Sequence, residues 1–529
     1  MKLVTAAQMR SIEQSCVEAG VSLDELMENA GLAVAEHVRE TFAGSGTGPG
    51  GSDSSDRVFG KRIVVLVGPG NNGADGFVAG RHLAGWGARV SAALCADRPA
   101  SDPKRELAED AGVLVIEGTS DTGPGSLEET LRERLATADV VIDAVLGTGT
   151  SRPITEPLSS LLFAVLESTV PVIALDLPTG LNSDTGEFDI AGLPADLTLA
   201  LGYPKLGPAI EAGTAPTGET VVLDIGIPFG LDSHVATELL TGELAAFLQP
   251  ERPADGHKGT FGSTLIVGGS QEFLGAVTMA TDAATRSGVG LVYVATPEPV
   301  YRLVAGDVPE AMYRALPAQA NGEVDPSSAA SAVLEMAGAA TSVVIGPGLG
   351  QNPATTEFLS VLLSQIDPGL PLVLDADALN ILASSHAWWE HLDNPAVLTP
   401  HPGEMGRLLG ITATEVQLNR PAAAQEAARK FNKVVVLKGA ATLIAAPDGR
   451  MRVSPWVNSG LAGGGSGDVL AGLLGGLLAG QSPDVFDMAS LGVFLHGYAA
   501  EVARDEIGET GMRATDVSDR LGHFWRDLG

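Results

Sequence analysis

Short apolar runs rich in Val, Ile and Leu recur along this chain, separated by stretches with helical spacing. In the first half they fall at residues 63–67, 89–94, 140–142, 172–175 and 197–201. In the second half they fall at 264–267, 291–295, 343–345, 372–374, 397–398 and 434–437. A strand that is apolar throughout must be covered on both faces, so the alternation predicts an α/β fold of mainly parallel sheets flanked by helices. The rhythm breaks near residues 225–228 and resumes after His257, across a short helical stretch (235–248) and a Pro-rich turn (250–253). That break sets two expected domains, 1–228 and 235–529, and 529 residues suffice for two large α/β units. Residues 44–56, rich in Gly and Ser, read as a flexible loop inside the first. In open sheets of this kind ligands bind beyond the carboxyl ends of the strands, so the residues just after each run are the ones to question.

Charge narrows the partners. Lys and Arg number 32 against 65 Asp and Glu, a formal charge of −33. So acidic a chain repels nucleic acid and anionic membrane surfaces, and neither is an expected partner. Any phosphate must then be held by backbone N–H groups and a few local cations. Cys16 and Cys95 are the only cysteines, too few for a disulfide framework or a zinc ribbon. The opening MKLVTAAQMRSIEQ lacks the apolar core of a signal peptide, and no run of about 18 apolar residues occurs. The expected setting is the cytoplasm.

In the first half, IVVLV leads into GPGNNGADG (68–76), with a helix expected from near Phe77. Glycines let the backbone approach a ligand closely, and a helix N-terminus offers free N–H groups to a phosphate. The stretch also satisfies G-x-G-x-x-G, with Asp97 after the next strand where a ribose-binding acid would sit. A tight turn would account for the glycines, but not for Asn71, Asn72 and Asp75. Two further strand ends carry acids: Asp143 in VVIDAVLGTG and Asp176 in VIALDLPTG. A lone Asp there is more often a helix cap. Two in one sheet, beside an Asn-Asn loop, form a set of oxygen donors suited to a hard cation or a sugar.

LMENAG (26–31), GPGNNGADG, DAVLGTG and DLPTGLNSDTG together resemble the NAD(P)HX epimerase family over nearly all of residues 1–228. The resemblance implies a Rossmann-like, three-layer fold that interconverts the R and S hydrates of NADH and NADPH (NADHX and NADPHX). It implies that Asn71, Asn72, Gly73, Ala74 and Asp75, with Gly147, Thr148, Gly149, Thr150, Ser151 and Arg152, contact the hydrated dinucleotide. Asp176 would bind it too, while Asn72, Asp143 and Thr179 would ligate a potassium ion. Ala74 stands where the family usually has Gly, which requires a negative φ there; Thr179 replaces the usual Ser and keeps the hydroxyl. Epimerisation at C6 needs little power, because a hydroxyl beside the ring nitrogen leaves and returns through a nitrogen-stabilised cation. A carboxylate that exchanges the proton would supply a factor of about 10²–10⁴. Asp143 and Asp176 are both candidates for that role.

The densest signal in the second half is LAGGGSGDVLAGLLGGLLAG (461–480). A glycine run enters Ser466-Gly467-Asp468 and then an apolar helix, whose first N–H groups form an anion hole for a phosphoryl group. Asp468 is placed to accept a proton from a hydroxyl nucleophile. A routine first-turn acid would look the same in isolation. Its companions weigh against that: Lys438 ends a strand in VVVLKGAAT, His401 and Glu404 follow another in LTPHPGE, and Asp375 and Asp377 follow a third in VLDADALN. GPGLG (346–350) adds a further glycine turn.

This set resembles the ADP-dependent NAD(P)HX dehydratase family, with its ribokinase-like fold, from about residue 235 to the C-terminus. HKGTFG (257–262), FLGAVTMA (273–280) and GVFLHGYAAE (492–501) are similar to its segments as well. The resemblance implies that Ala276, Gly348 and His401 contact the hydrated substrate. Lys438, Gly439, Ala440, Ala441 and Thr442, with Gly467, would hold the adenine nucleotide, and Asp468 would be the base. ADP as co-substrate would leave as AMP and phosphate, with magnesium bridging the phosphates and Asp375 and Asp377 as water-mediated partners. A homo-oligomer is also implied. Two rivals share parts of the pattern. An NAD-dependent dehydrogenase would use Gly68–Gly73 and Asp97 but leaves the second half idle. A ribokinase-like small-molecule kinase fused to a dinucleotide-binding domain would use the Gly-Asp logic on a stable alcohol.

Overall fold

The computed structural model describes residues 1–42, 58–118, 126–149, 152–213, 215–480 and 484–527. Residues 44–56 lie outside these, as do Thr150 and Ser151. The chain separates into two compact units, Met1–Val235 and Ala236–Gly529.

The first unit is built on β1 (Arg62–Val67), β2 (Arg89–Leu94), β3 (Leu114–Ile116), β4 (Val140–Ala144), β5 (Val172–Leu175), β6 (Leu197–Leu201) and β7 (Glu219–Leu223). All pair in parallel, in the order β3-β2-β1-β4-β5-β6-β7. The direction of winding reverses between β1 and β4, as in a Rossmann sheet, and that crevice is where such sheets bind ligands. Alternate residues of β1 enter different cores. Ile63, Val65 and Val67 meet Val34, Val38 and Phe77 on one face. Val64 and Leu66 meet Leu131 and Leu162 on the other. The result is three layers.

The helix expected from near Phe77 begins at Asn71 instead, spanning Asn71–Gly85 with Gly70 as its N-cap. Its polar, glycine-rich first turns look like loop by propensity, but packing uses those glycines. A methyl on Gly73 would stand 2.2 Å from the Gly68 carbonyl oxygen, and one on Gly76 would stand 2.6 Å from Ala144 Cβ. Ala74 lies inside this helix, on the negative-φ side that any residue tolerates.

The second unit carries β8 (Thr237–Leu239), β9 (Ser263–Val267), β10 (Leu291–Pro297), β11 (Met312–Leu316), β12 (Ser342–Ile345), β13 (Leu372–Leu374), β14 (Ala396–Leu398), β15 (Val434–Leu437), β16 (Leu443–Ala445) and β17 (Met451–Val453). Their order is β11-β10-β9-β12-β13-β14-β15-β16-β17-β8. The run from β11 to β15 is parallel, and β16 turns antiparallel on both sides. The stretch 235–248, expected to be helical, contains the strand β8 and only a short helix, Gly242–Phe247. The ladder of β17 imposes that strand, through pairing across more than two hundred residues that local pattern does not reveal.

The helix Ser466–Leu478 lies in the core beside the helix Leu274–Arg286. Its glycines are the contact surface: a methyl on Gly472 would reach within 1.9 Å of the Ala280 carbonyl oxygen, and one on Gly475 within 2.2 Å of Val344 Cγ2. Gly472→Ala is therefore expected to destabilise the second unit by about 1–3 kcal/mol through overpacking. A lowered urea midpoint with unchanged slope would register it.

Candidate active sites

In the first unit, the strand ends bring Asn72, Asp143, Gly147 and Thr179 together. Asp143 is fully buried at the end of β4. Its Oδ1 accepts from the Thr179 hydroxyl at 2.7 Å and from the Val145 N–H at 3.2 Å, while Oδ2 accepts from the Thr179 N–H at 2.7 Å. Burial pushes its pKa up to about 6, against the pull of those bonds. The Thr179 hydroxyl also accepts from the Leu146 N–H at 3.1 Å. Asn72 packs against Gly147, whose added methyl would stand 3.4 Å from the amide carbon. Asn72 Nδ2 is buried with no partner among the described residues. Amide, carboxylate and hydroxyl oxygens are the hard donors an alkali cation takes, so these three residues fit the potassium expectation.

Gly147 and Arg152 line a cleft of about 440 Å³ with Leu146, Gly180, Asn182 and Asp189. The Thr148 carbonyl accepts from the Ser183 hydroxyl at 3.5 Å, and Gly149 is exposed. Asp176 sits just past β5 at φ 67°, buried, with Oδ1 accepting from Lys205 Nζ at 2.5 Å and from the Leu201 N–H at 3.1 Å. Asp97 lies elsewhere: it lines a separate cleft of about 520 Å³ with Cys95 and Glu156. Its neighbour Arg98 donates to the Gly68 and Gly70 carbonyls at 2.9 and 3.0 Å, bracing the glycine turn from behind.

In the second unit, Asp468 occupies the first turn of Ser466–Leu478, and Gly465, at φ 96°, precedes it as N-cap. Among the described residues no group hydrogen-bonds its carboxylate. Burial, then the charge of Asp375, pushes its pKa up to about 7, with Lys438 opposing. Lys438 donates to Asp375 Oδ1 at 2.8 Å and stands 3.9 Å from Glu404. Burial works against the ammonium, yet Asp375 and Glu404 outweigh it and hold the Lys438 pKa above its usual value. A methyl on Gly467 would meet Lys438 Nζ at 3.3 Å, so the cation stands beside the N-terminus of that helix.

Lys438, Gly439, Ala440, Ala441 and Thr442 form a tight loop after β15. Gly439 takes φ 146° and Ala441 φ 48°. Arg420 holds it from beneath through the Ala440 and Leu437 carbonyls, and the Thr442 hydroxyl donates to the Gly439 carbonyl at 2.9 Å. Gly348, at φ 62°, lies against Ala276, with an added methyl 2.9 Å from Ala276 Cβ. His401 caps the helix Pro402–Leu409: its Nδ1 accepts from the Gly403 N–H at 3.0 Å, which leaves the proton on Nε2. Asp377 accepts from the Gly350 N–H at 2.8 Å and from the Gln351 amide at 2.7 Å. Asp375 also accepts from the Thr399 hydroxyl at 2.7 Å.

Comparison with known proteins matches this arrangement to a family. A profile described as NAD(P)H-hydrate dehydratase matches residues 264–522, and one described as YjeF-related protein N-terminus matches residues 23–207. The bifunctional NAD(P)H-hydrate repair enzyme of Moorella thermoacetica is 38% identical, over 100% of this chain and 97% of its own. That of Coxiella burnetii is 36% identical, over 97% of each. The chain belongs to the bifunctional NAD(P)H-hydrate repair enzymes. Among solved structures, the ADP/ATP-dependent NAD(P)H-hydrate dehydratase of Bacillus subtilis is 34% identical, covering 55% of this chain and 99% of that one at a TM-score of 0.48.

Three polar residues near the candidate site residues carry little or no sequence signal. Lys205, which pairs Asp176, follows β6 in LGYPKLG, and a lysine just past a strand end was its only signal. Arg420 and Glu13 lie in ordinary helical sequence, and only the tertiary fold brings Arg420 under the loop after β15 and Glu13 within electrostatic reach of Asp176.

Proposed function

We propose that the first unit interconverts R- and S-NAD(P)HX and that the second dehydrates the S form to NAD(P)H, consuming ADP and releasing AMP and phosphate. The observation that carries the second half is Asp468: a carboxylate with no hydrogen-bond partner among the described residues, one residue from Gly467 and within the field of Lys438. Asp468 takes the proton from the C6 hydroxyl, and the oxygen attacks the β-phosphorus of ADP as AMP leaves. The C6–O bond then breaks, phosphate leaving with its electron pair, while C5 gives a proton to solvent and the C5–H pair forms the C5=C6 bond of the dihydropyridine. Lys438 and the N–H groups around Gly467 hold the transferring phosphoryl group, in the loop of Gly439, Ala440, Ala441 and Thr442. Ala276, Gly348 and His401 seat the hydrated ring. Magnesium would neutralise charge on the phosphates. Asp375 and Asp377 suit it as oxygen donors, although each already accepts protein hydrogen bonds.

In the first unit Asn72, Asp143 and Thr179 would hold potassium, which supplies a fixed positive charge in an acidic pocket. The residues from Asn71 to Asp75 and from Gly147 to Arg152 would contact the dinucleotide. The free, buried thiols Cys16 and Cys95 suit a reducing compartment such as the cytoplasm. No helix among the described residues is long and apolar enough to cross a membrane.

Incubation with mixed R and S hydrates and ADP should restore the full NADH absorbance, because epimerisation feeds the R form to the dehydratase. A persistent phosphorylated product would favour a small-molecule kinase instead. The reaction should also report Asp468 by its pH dependence. A base works only when ionised, so kcat/KM for dehydration should climb tenfold per pH unit below about 7 and level off above. A flat profile between about pH 5 and about pH 8 would exclude Asp468 as the base.

A further inference from the structure

The acids of the first site differ in what they already hold. Asp143 accepts three hydrogen bonds, and Asp176 is salt-bridged to Lys205. Asp75 has no hydrogen bond or ion pair among the described residues: it is only 7% exposed, and Oδ1 is buried without a partner there. It stands on the helix Asn71–Gly85, within electrostatic reach of Asp176, just past β5, and of Glu13, on the helix Ala6–Glu18. The cations within electrostatic reach are Lys104 and Arg98. Both are engaged elsewhere: Lys104 with Asp24 and Glu28, Arg98 with Asp102 and the glycine-turn carbonyls.

We infer that Asp75 is the general acid of the epimerase site, giving a proton to the departing C6 hydroxyl and recovering one from the water that replaces it. This rests on the epimerase reading of the first unit and adds a proton-transfer role within it. Burying a carboxyl without a partner disfavours its charged form. Burial first, and then the charges of Asp176 and Glu13, hold the Asp75 pKa well above the usual carboxylate range. A general acid works from its protonated form, and it is that form which the surroundings of Asp75 favour.

The step balances. The Asp75 proton passes to the C6 hydroxyl oxygen, the C6–O bond breaks with its electron pair leaving in water, and the ring nitrogen lone pair forms the C6=N bond of a planar cation. Water adds to either face, the C=N pair returns to nitrogen, and the added water loses its proton to Asp75, directly or through the neighbouring carboxylates. Addition to the opposite face gives the epimer, with nothing consumed.

The test uses the full chain and its two activities. Asp75→Asn keeps the shape and removes the proton. Interconversion of purified R- and S-NADHX, followed without ADP, should lose about 10²–10⁴-fold in kcat, while KM moves less than about threefold. Dehydration of the S form by the same variant should be unchanged, which certifies folding of the second unit; far-UV circular dichroism and thermal melting certify the first. In wild type, epimerisation should fall at alkaline pH as the acid ionises, and Asp75→Glu should restore part of the rate. A folded Asp75→Asn protein within about threefold of wild-type kcat overturns the proposal, as does a loss confined to KM, which would make Asp75 a binding contact only. If wild type itself fails to interconvert the hydrates, the epimerase reading falls and the proposal with it.

Discussion

Asp468→Asn is expected to abolish ADP-driven return of S-NADHX to NADH while the R and S hydrates continue to interconvert. The amide keeps the volume of the acid but cannot take the hydroxyl proton. Loss of a general base costs about 10²–10⁴-fold, and every mole of NADH formed requires that step. Nucleotide binding should survive, since Lys438 and the Gly467 backbone are untouched. The variant should also remain folded. Asp468 holds no hydrogen bond among the described residues, and neutralising it removes a half-buried charge that Asp375, Asp377 and Glu404 already repel. NADH absorbance with ADP, beside chromatographic separation of the two hydrates without it, reads both activities on one preparation. If both vanish together in a folded variant, the two sites are not independent.

Asp143→Ala should give the opposite result: no epimerisation, with dehydration of pure S hydrate preserved. Here the effect on stability is large as well. Removing the carboxylate leaves the Thr179 N–H, the Thr179 hydroxyl and the Val145 N–H without their acceptor in a fully buried place. Each orphaned donor costs about 1–3 kcal/mol, offset in part because the buried charge disappears too. A two-step thermal melt should show the first unit unfolding earlier and the second unshifted. Retained epimerase activity in Asp143→Ala would rule out both the potassium site and any proton-transfer role at this position.

Much of both sites was legible because their chemistry follows strands. The Asp of VVIDAVLGTG, the Lys of VVVLKGAAT and the Asp of GGGSGDVL are each marked by an apolar run on one side and glycines on the other. Less legible was the start of the Asn71–Gly85 helix, where glycines that read as loop serve close packing against Gly68 and Ala144. The glycines of the Ser466–Leu478 helix divide in the same way. Gly467 faces Lys438, whereas Gly472 and Gly475 admit neighbouring elements into contact.

The sequence by itself determined the α/β class, the two-part organisation and which candidate residues stand at strand ends. Strand and turn propensities act over a few residues, and local pattern records them. Only the tertiary structure decided that β8 pairs with β17, that Asp176 is held by Lys205 and Asp375 by Lys438, and that Asp75 is left alone. Those outcomes depend on which distant groups share a buried space. There the low dielectric and exclusion of water turn proximity into charge state, and no local sequence pattern records proximity.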